Sequence, residues 1–197
     1  MARVLVVCTG NVCRSPVAEA FLRAAFVERM RSDAPEVASA GTMGWTGSGA
    51  DPHSIQVAAE HGIDISGHRA RVVDREDIAR STLILAMANE HVDTISSAAP
   101  SARSKTFTLK ELVRLLEALP GTEGDAREPI VARVKAADEL RRAGFAGDPH
   151  DEGIADPLGL PLEEFRLVAD EIEVWCARLA DILVGSPDPR DAGSAVS

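Results

Sequence analysis

The chain is predicted to fold as a doubly wound α/β domain, a sheet flanked by helices. Two observations carry the prediction. Short β-branched runs alternate along the sequence with helical stretches, the pattern that right-handed crossovers wind into one sheet. The 197 residues are 45% hydrophobic and 26% charged, which suits one globular domain with a full core.

Residues 3–7, "RVLVV", read as a first buried strand. Ser15 as N-cap and Pro16 as first helical residue open a helix. Its Val17, Phe21, Ala24, Ala25 and Phe26 trace an apolar face. "EVASAG" at 36–41 is a second strand ending in a Gly turn, and "GTMGWTGSGADP" at 41–52 is a loop. A helix from about 53 to 61 stops at Gly62. "DREDIAR" at 74–80 is a short helix, "TLILAMA" at 82–88 a central strand, and 89–98 a helix ending before Pro100. "SKTFTL" at 104–109 is a fourth strand and "LKELVRLLEAL" at 109–119 an amphipathic helix.

The alternation then breaks into an insert of about 120–150. It opens with the acidic linker "PGTEGDAREP" at 120–129 and continues as a mostly solvated helix at 130–143. "GFAGDPHDEGIADPLGLP" at 144–161 is a loop long enough to carry a function. The last helix, near 162–184, sets Phe165, Val168, Ile172, Trp175, Leu179 and Ile182 on one stripe. The domain is expected to span 1–185, with 186–197 a disordered tail.

Several function classes are excluded early. A net charge of −10 argues against nucleic acid as a partner. No apolar run approaches the roughly 18 residues that insert into a bilayer, and the first residues carry no cleavage-site pattern. Three cysteines make no disulfide framework, so a reducing, cytoplasmic setting is expected.

Chemistry concentrates in "VCTGNVCRSP" at 7–16. Structural zinc takes four Cys/His ligands in paired short spacings; here one pair stands five apart and Cys176 is far off in an apolar helix, so no metal is expected. A static bridge between Cys8 and Cys13 would close a tiny loop for little stability. A loop that holds an oxyanion explains more residues together. A strand ends at Cys8, the chain turns through Thr9, Gly10, Asn11, Val12 and Cys13, and a helix starts near Ser15. Backbone N–H groups and the helix dipole then converge on one concavity. Gly10 permits an unusual backbone angle, Asn11 tolerates a left-handed one, and Arg14 adds a fork of donors. Cys8, on the floor of that cup, is expected to act as a thiolate.

"VCTGNVCRSPVAEA" at 7–20 resembles the signature of the low-molecular-weight protein-tyrosine-phosphatase family, which includes bacterial arginine phosphatases and thiol-coupled arsenate reductases. "SAGT" at 39–42, "HGIDISGHRAR" at 61–71 and "LILAM" at 83–87 follow in family order, so the resemblance covers roughly 3–118 and 154–184. It implies a four-stranded parallel sheet and a phosphorylated protein as substrate, with no cofactor. It also implies that Ser39 and His68 tie Asn11 into a supporting network. Ser15 is expected to donate to the thiolate, and Cys13, close to it, can form a reversible disulfide with Cys8. For His68 an ordinary surface histidine is the alternative, for Cys13 a small buried residue.

The leaving group needs a proton, and four Asp-Pro pairs offer a carboxylic acid: Asp51, Asp148, Asp156 and Asp188. Asp156 is the choice, with apolar neighbours Ile154 and Ala155 and the family's position before the last helix. Cys8 would attack phosphorus while Arg14 and the amides of 9–14 hold its oxygens, and Asp156 would serve as acid and then base.

Specificity is divided. Many tyrosine-specific members follow the Asp-Pro with aromatic residues, whereas this chain reads "DPLG" and contains no tyrosine. Trp45 could stack on a substrate ring or be an ordinary loop hydrophobe, and Leu158 or Phe145 could replace the missing wall. "DPLG" and "VCTGN" look like the arginine-phosphatase branch, yet Val12 lacks the hydroxyl that branch places there. The balance leans to phosphotyrosine, with phosphoarginine the alternative. Arsenate reduction through Cys8 alone and a phosphate-binding module without turnover are the remaining readings.

Overall fold

Strand β1 (Arg3–Cys8) is apolar from Val4 onward and buried on both faces, as a central parallel strand must be. Its partners are β2 (Glu36–Gly41) on one side and β3 (Leu83–Ala86) on the other, with β4 (Thr106–Thr108) beyond β3. All pairings are parallel and the order is β2-β1-β3-β4. The computed structural model describes residues 2–119, 129–145 and 152–186.

The helices are α1 (Arg14–Met30), α2 (Pro52–Glu60), α3 (Arg75–Arg80), α4 (Asn89–Ala98), α5 (Leu109–Glu117), α6 (Ile130–Arg142) and α7 (Leu162–Val184). The two-residue period of β1 divides them. Val4, Val6 and Cys8 face a core filled by Phe21, Phe26, Leu112, Phe165 and Ile172 of α1, α5 and α7. Leu5 and Val7 face a smaller core with Ile78 of α3 and Ile95 of α4. The strand order reverses between β1 and β3, so the loop after Cys8 opens at a topological switch point, where open α/β sheets form their crevice.

The predicted strands and helices form, with ends shifted by one or two residues. Three readings need correction. Helix α1 begins at Arg14 with Cys13 as its cap residue, because the Ser15 hydroxyl is turned to Cys8 and does not cap. Ala24 is exposed, and Leu22 takes its place in the core. The insert helix α6 is not mostly solvated: Ile130, Val134 and Ala137 are buried, as are Arg133 and Asp138. Arg141 explains part of this. Its guanidinium lies 4.1 Å from the Phe107 ring centroid and donates to the Thr106 carbonyl at 3.0 Å, covering an otherwise open edge strand. The linker at 120–128, Asp148, Asp188 and the predicted tail from 187 lie outside the described residues.

Candidate active site

Two donors of the loop from Cys8 to Ser15 meet at one sulfur. Cys8 Sγ lies 3.0 Å from Ser15 Oγ and accepts the Asn11 N–H at 3.3 Å. Asn11 adopts φ +56°, the left-handed backbone its residue type tolerates. The amides of Gly10, Val12 and Cys13 have no acceptor among the described residues. Arg14 Nε is buried without a hydrogen-bond partner, an arrangement that is costly unless an anion fills the concavity. Donors facing one another around a thiol at the start of α1 suit a tetrahedral oxyanion.

Asn11 holds this shape. Its side-chain amide donates to Ser15 Oγ at 2.9 Å and to Ser39 Oγ at 2.8 Å, and its Oδ1 accepts the Arg71 N–H at 3.0 Å. Its carbonyl accepts from His68 Nε2 at 2.8 Å, so that nitrogen carries a proton. Because Ser15 Oγ already accepts from Asn11, its own hydrogen is available to Cys8 Sγ. Gly10 serves differently from expectation: a Cβ there would approach the Trp45 ring to 3.2 Å, and its φ is not among the positive ones. Gly41 is stricter still, since a Cβ would lie 2.7 Å from the Thr9 carbonyl.

The loop after the insert brings Asp156 to Arg14. Arg14 Nη2 meets Asp156 Oδ2 at 2.5 Å, and Arg14 Nη1 donates to the Ile154 carbonyl at 3.0 Å. Ile154 N–H is in turn anchored on the Met87 carbonyl at 2.7 Å, just beyond β3. Glu152, 6% exposed, pins the same loop through the Thr108 hydroxyl at 3.1 Å and an ion pair with Arg114. Asp51 is engaged elsewhere: it caps α2, accepting the His53 N–H at 2.8 Å.

At the mouth, Trp45 is 46% exposed and lies over Gly10, while Leu158 is 44% exposed two residues past Asp156. Phe145 is 46% exposed and follows a helix packed on α5 and the turn before β4. Cys13 is buried in the loop; burial first, then the Asp51 charge, push its thiol up to about 12, so it stays protonated at neutral pH. Burial likewise pushes Cys176 up within the core. Among the described residues no cluster of three or more His, Cys, Asp or Glu could hold a metal ion, and no helix is long and apolar enough to cross a membrane.

His91 of α4, Glu152 and the Ile154 carbonyl escape sequence reasoning. His91 is 1% exposed, and its Nε2 lies 2.9 Å from Thr9 Oγ1. Burial first, then the Arg14 charge, lower it from 6.5 to about 4, against a smaller upward pull from Asp156. The unfolded chain thus takes up a proton near 6.5 and the folded chain only near 4. Stability present above the first value is lost as pH falls towards the second. Urea midpoints measured from pH 7 to 4 are expected to fall more steeply for wild type than for His91→Gln; equal slopes would contradict a neutral, buried imidazole.

The chain resembles known proteins along most of its length. The family model described as low molecular weight phosphotyrosine protein phosphatase matches residues 3–133. The chain is 37% identical over 181 residues to a protein-arginine-phosphatase of Geobacillus stearothermophilus, covering 92% of this chain and 95% of that one. It is 42% identical over 104 residues to the low molecular weight protein-tyrosine-phosphatase Etp of Escherichia coli K12, covering 53% and 66%. The solved structure of the YwlE arginine phosphatase from Geobacillus stearothermophilus superposes with a TM-score of 0.67 at 35% identity, over 92% of each chain. With its four-stranded parallel sheet and its loop of donors around Cys8, this chain belongs to the low molecular weight phosphotyrosine protein phosphatase family.

Proposed function

We propose that this chain is a protein phosphatase that hydrolyses phosphotyrosine through a cysteinyl-phosphate intermediate. One observation carries the chemistry: Cys8 Sγ sits within reach of the Asn11 N–H and the Ser15 hydroxyl, in a loop whose Arg14 keeps a buried Nε without a partner. Cys8 Sγ, which accepts both hydrogen bonds, is the nucleophile.

An incoming phosphoryl dianion takes over the Arg14 fork and releases Asp156 from its ion pair, and the freed carboxylate takes up a proton from solvent. Cys8 Sγ attacks phosphorus in line, the bond to the leaving oxygen breaks, and Asp156 gives that oxygen a proton. The amides of 9–14 and Arg14 hold the equatorial oxygens throughout. Asp156, now a carboxylate, takes a proton from water, whose oxygen attacks the cysteinyl phosphate and releases inorganic phosphate and the thiolate. Ser15 steadies the departing sulfur, and Ser39 and His68 act through Asn11 to hold the loop in shape.

Trp45 favours an aromatic substrate, since its half-exposed indole stands over the loop and presents a face for stacking. Leu158 is exposed two residues past Asp156 and adds apolar surface beside the acid, its N–H donating to Asp156 Oδ1 at 3.2 Å. A second reading, phosphoarginine, is favoured by the match to an arginine phosphatase along nearly the whole chain. The test is kcat/KM on matched phosphotyrosine and phosphoarginine peptides. Phosphotyrosine is expected to lead, and Trp45→Ala to lower its kcat/KM by about tenfold, the worth of an aromatic pair. A lead for phosphoarginine that is indifferent to Trp45 would establish the second reading instead.

Cys13 fits a protective role. Peroxide oxidises the Cys8 thiolate to a sulfenic acid, which condenses with the Cys13 thiol to a disulfide and water; a thiol reductant reverses it. The raised pKa of Cys13 makes that condensation slow. A thiol nucleophile works only while reduced, which is the chemical reason to place the enzyme in the cytoplasm.

A further inference from the structure

The mechanism above leaves the buried imidazole of His91 unused. His91 reaches Thr9 Oγ1 with Nε2 at 2.9 Å, while its Nδ1 is buried with no hydrogen-bond partner. Thr9 Oγ1 also lies 3.4 Å from Arg14 Nη2, a long contact in which the guanidinium can only donate. Both groups converge on one hydroxyl at the rim of the loop.

We infer that His91 is a positioning residue: it donates its Nε2–H to Thr9 Oγ1, so that the Thr9 hydroxyl turns its own hydrogen to the bound phosphoryl group and adds a donor to the cradle. The inference rests on the reading of this loop as a phosphoryl site. Three observations support the proton placement. A neutral imidazole has one proton, and burial beside Arg14 keeps this ring neutral. A buried N–H without an acceptor is rarer and costlier than an unpaired lone pair, so the orphaned Nδ1 is the bare nitrogen. The Glu90 carboxylate lies 3.6 Å from Nε2, too far to accept well but close enough to favour a proton there.

The count at Thr9 follows. A hydroxyl has two lone pairs and one hydrogen. His91 and Arg14 occupy the lone pairs, and no other acceptor among the described residues meets Oγ1. Its hydrogen is therefore left for a ligand. His91 touches neither substrate nor reacting atoms, and its effect passes through Thr9.

The test combines a tautomer measurement with anion binding. The ¹⁵N shifts of His91 at pH 7 in the wild-type protein are expected to show a protonated Nε2 and a bare Nδ1. Inorganic phosphate serves as the probe ligand. Its Kd is expected to rise about tenfold in His91→Ala and in Thr9→Val, the loss of one hydrogen bond to a charged group. His91→Gln, whose amide can replace Nε2–H, is expected to recover most of the binding lost in His91→Ala. In the Thr9→Val background, His91→Ala should add nothing. A protonated Nδ1, or a full further loss in the Thr9→Val background, would overturn the inference. A wild type that binds phosphate but hydrolyses neither phosphopeptide would contradict the phosphatase reading while leaving His91 and Thr9 as assigned.

Discussion

Cys8→Ser is expected to lower kcat by roughly 10⁴–10⁶-fold, the scale seen when a covalent nucleophile is removed. The surroundings of this atom are built for a thiolate. Ser15 and Asn11 each direct a hydrogen at Sγ, and both donors are themselves fixed by the Asn11 network. A serine hydroxyl at the same point stays protonated, with no base beside it to accept its hydrogen. The side chain is 2% exposed and the change only exchanges sulfur for a somewhat smaller oxygen, so the loop should keep its shape. Phosphate binding should therefore survive in the variant, because Arg14 and the loop amides supply it. Turnover within tenfold of wild type would place the nucleophile elsewhere.

Asp156→Asn is expected to lower kcat by about 10²–10⁴-fold on a leaving group that needs a proton, such as an alkyl-substituted phenol. On p-nitrophenyl phosphate, whose leaving group departs readily as the anion, the loss should be far smaller. That contrast separates proton donation from simple positioning. The fold should be nearly unaffected: the Arg14–Asp156 pair has one partner 44% exposed, and such a pair is worth about 1 kcal/mol or less. An equal fall for both leaving groups would remove Asp156 from the acid role.

The parts of this site legible in the sequence are those set by local spacing. Cys8, Arg14 and Ser15 sit between a strand and a helix, and that context alone points to an oxyanion loop. Asp156 was one of four Asp-Pro candidates, and its place before the last helix separated it from Asp51, which the structure spends on capping α2. The Asn11 network was available only through family resemblance, since its partners Ser39 and His68 lie 28 and 57 residues away. His91 had no such signal. Its partner Thr9 is 82 residues distant, and a single histidine early in a helix reads as a surface residue.

Hydropathy misled in one helix for a physical reason. Arg133 and Asp138 of α6 are charged, so the segment reads as solvated, yet both are buried and paired. Arg133 donates to the Ile182 carbonyl at 2.5 Å, and Asp138 meets Arg141 at 2.5 Å and Arg142 at 2.8 Å. Glu152 follows the same rule, a buried carboxylate visible only once Thr108 and Arg114 are in place around it. Gly10 shows the converse. Its need for glycine was foreseen, but the cause is the Trp45 ring rather than a backbone angle.

The most direct test is to trap the intermediate. Wild-type protein is mixed with a phosphotyrosine peptide, quenched in denaturant within milliseconds, digested, and the phosphate located by mass spectrometry. The mechanism requires phosphate on the peptide that carries Cys8, bound through sulfur, and none in Cys8→Ser. Phosphate on another residue, or turnover with no phosphorylated enzyme at any quench time, would contradict it.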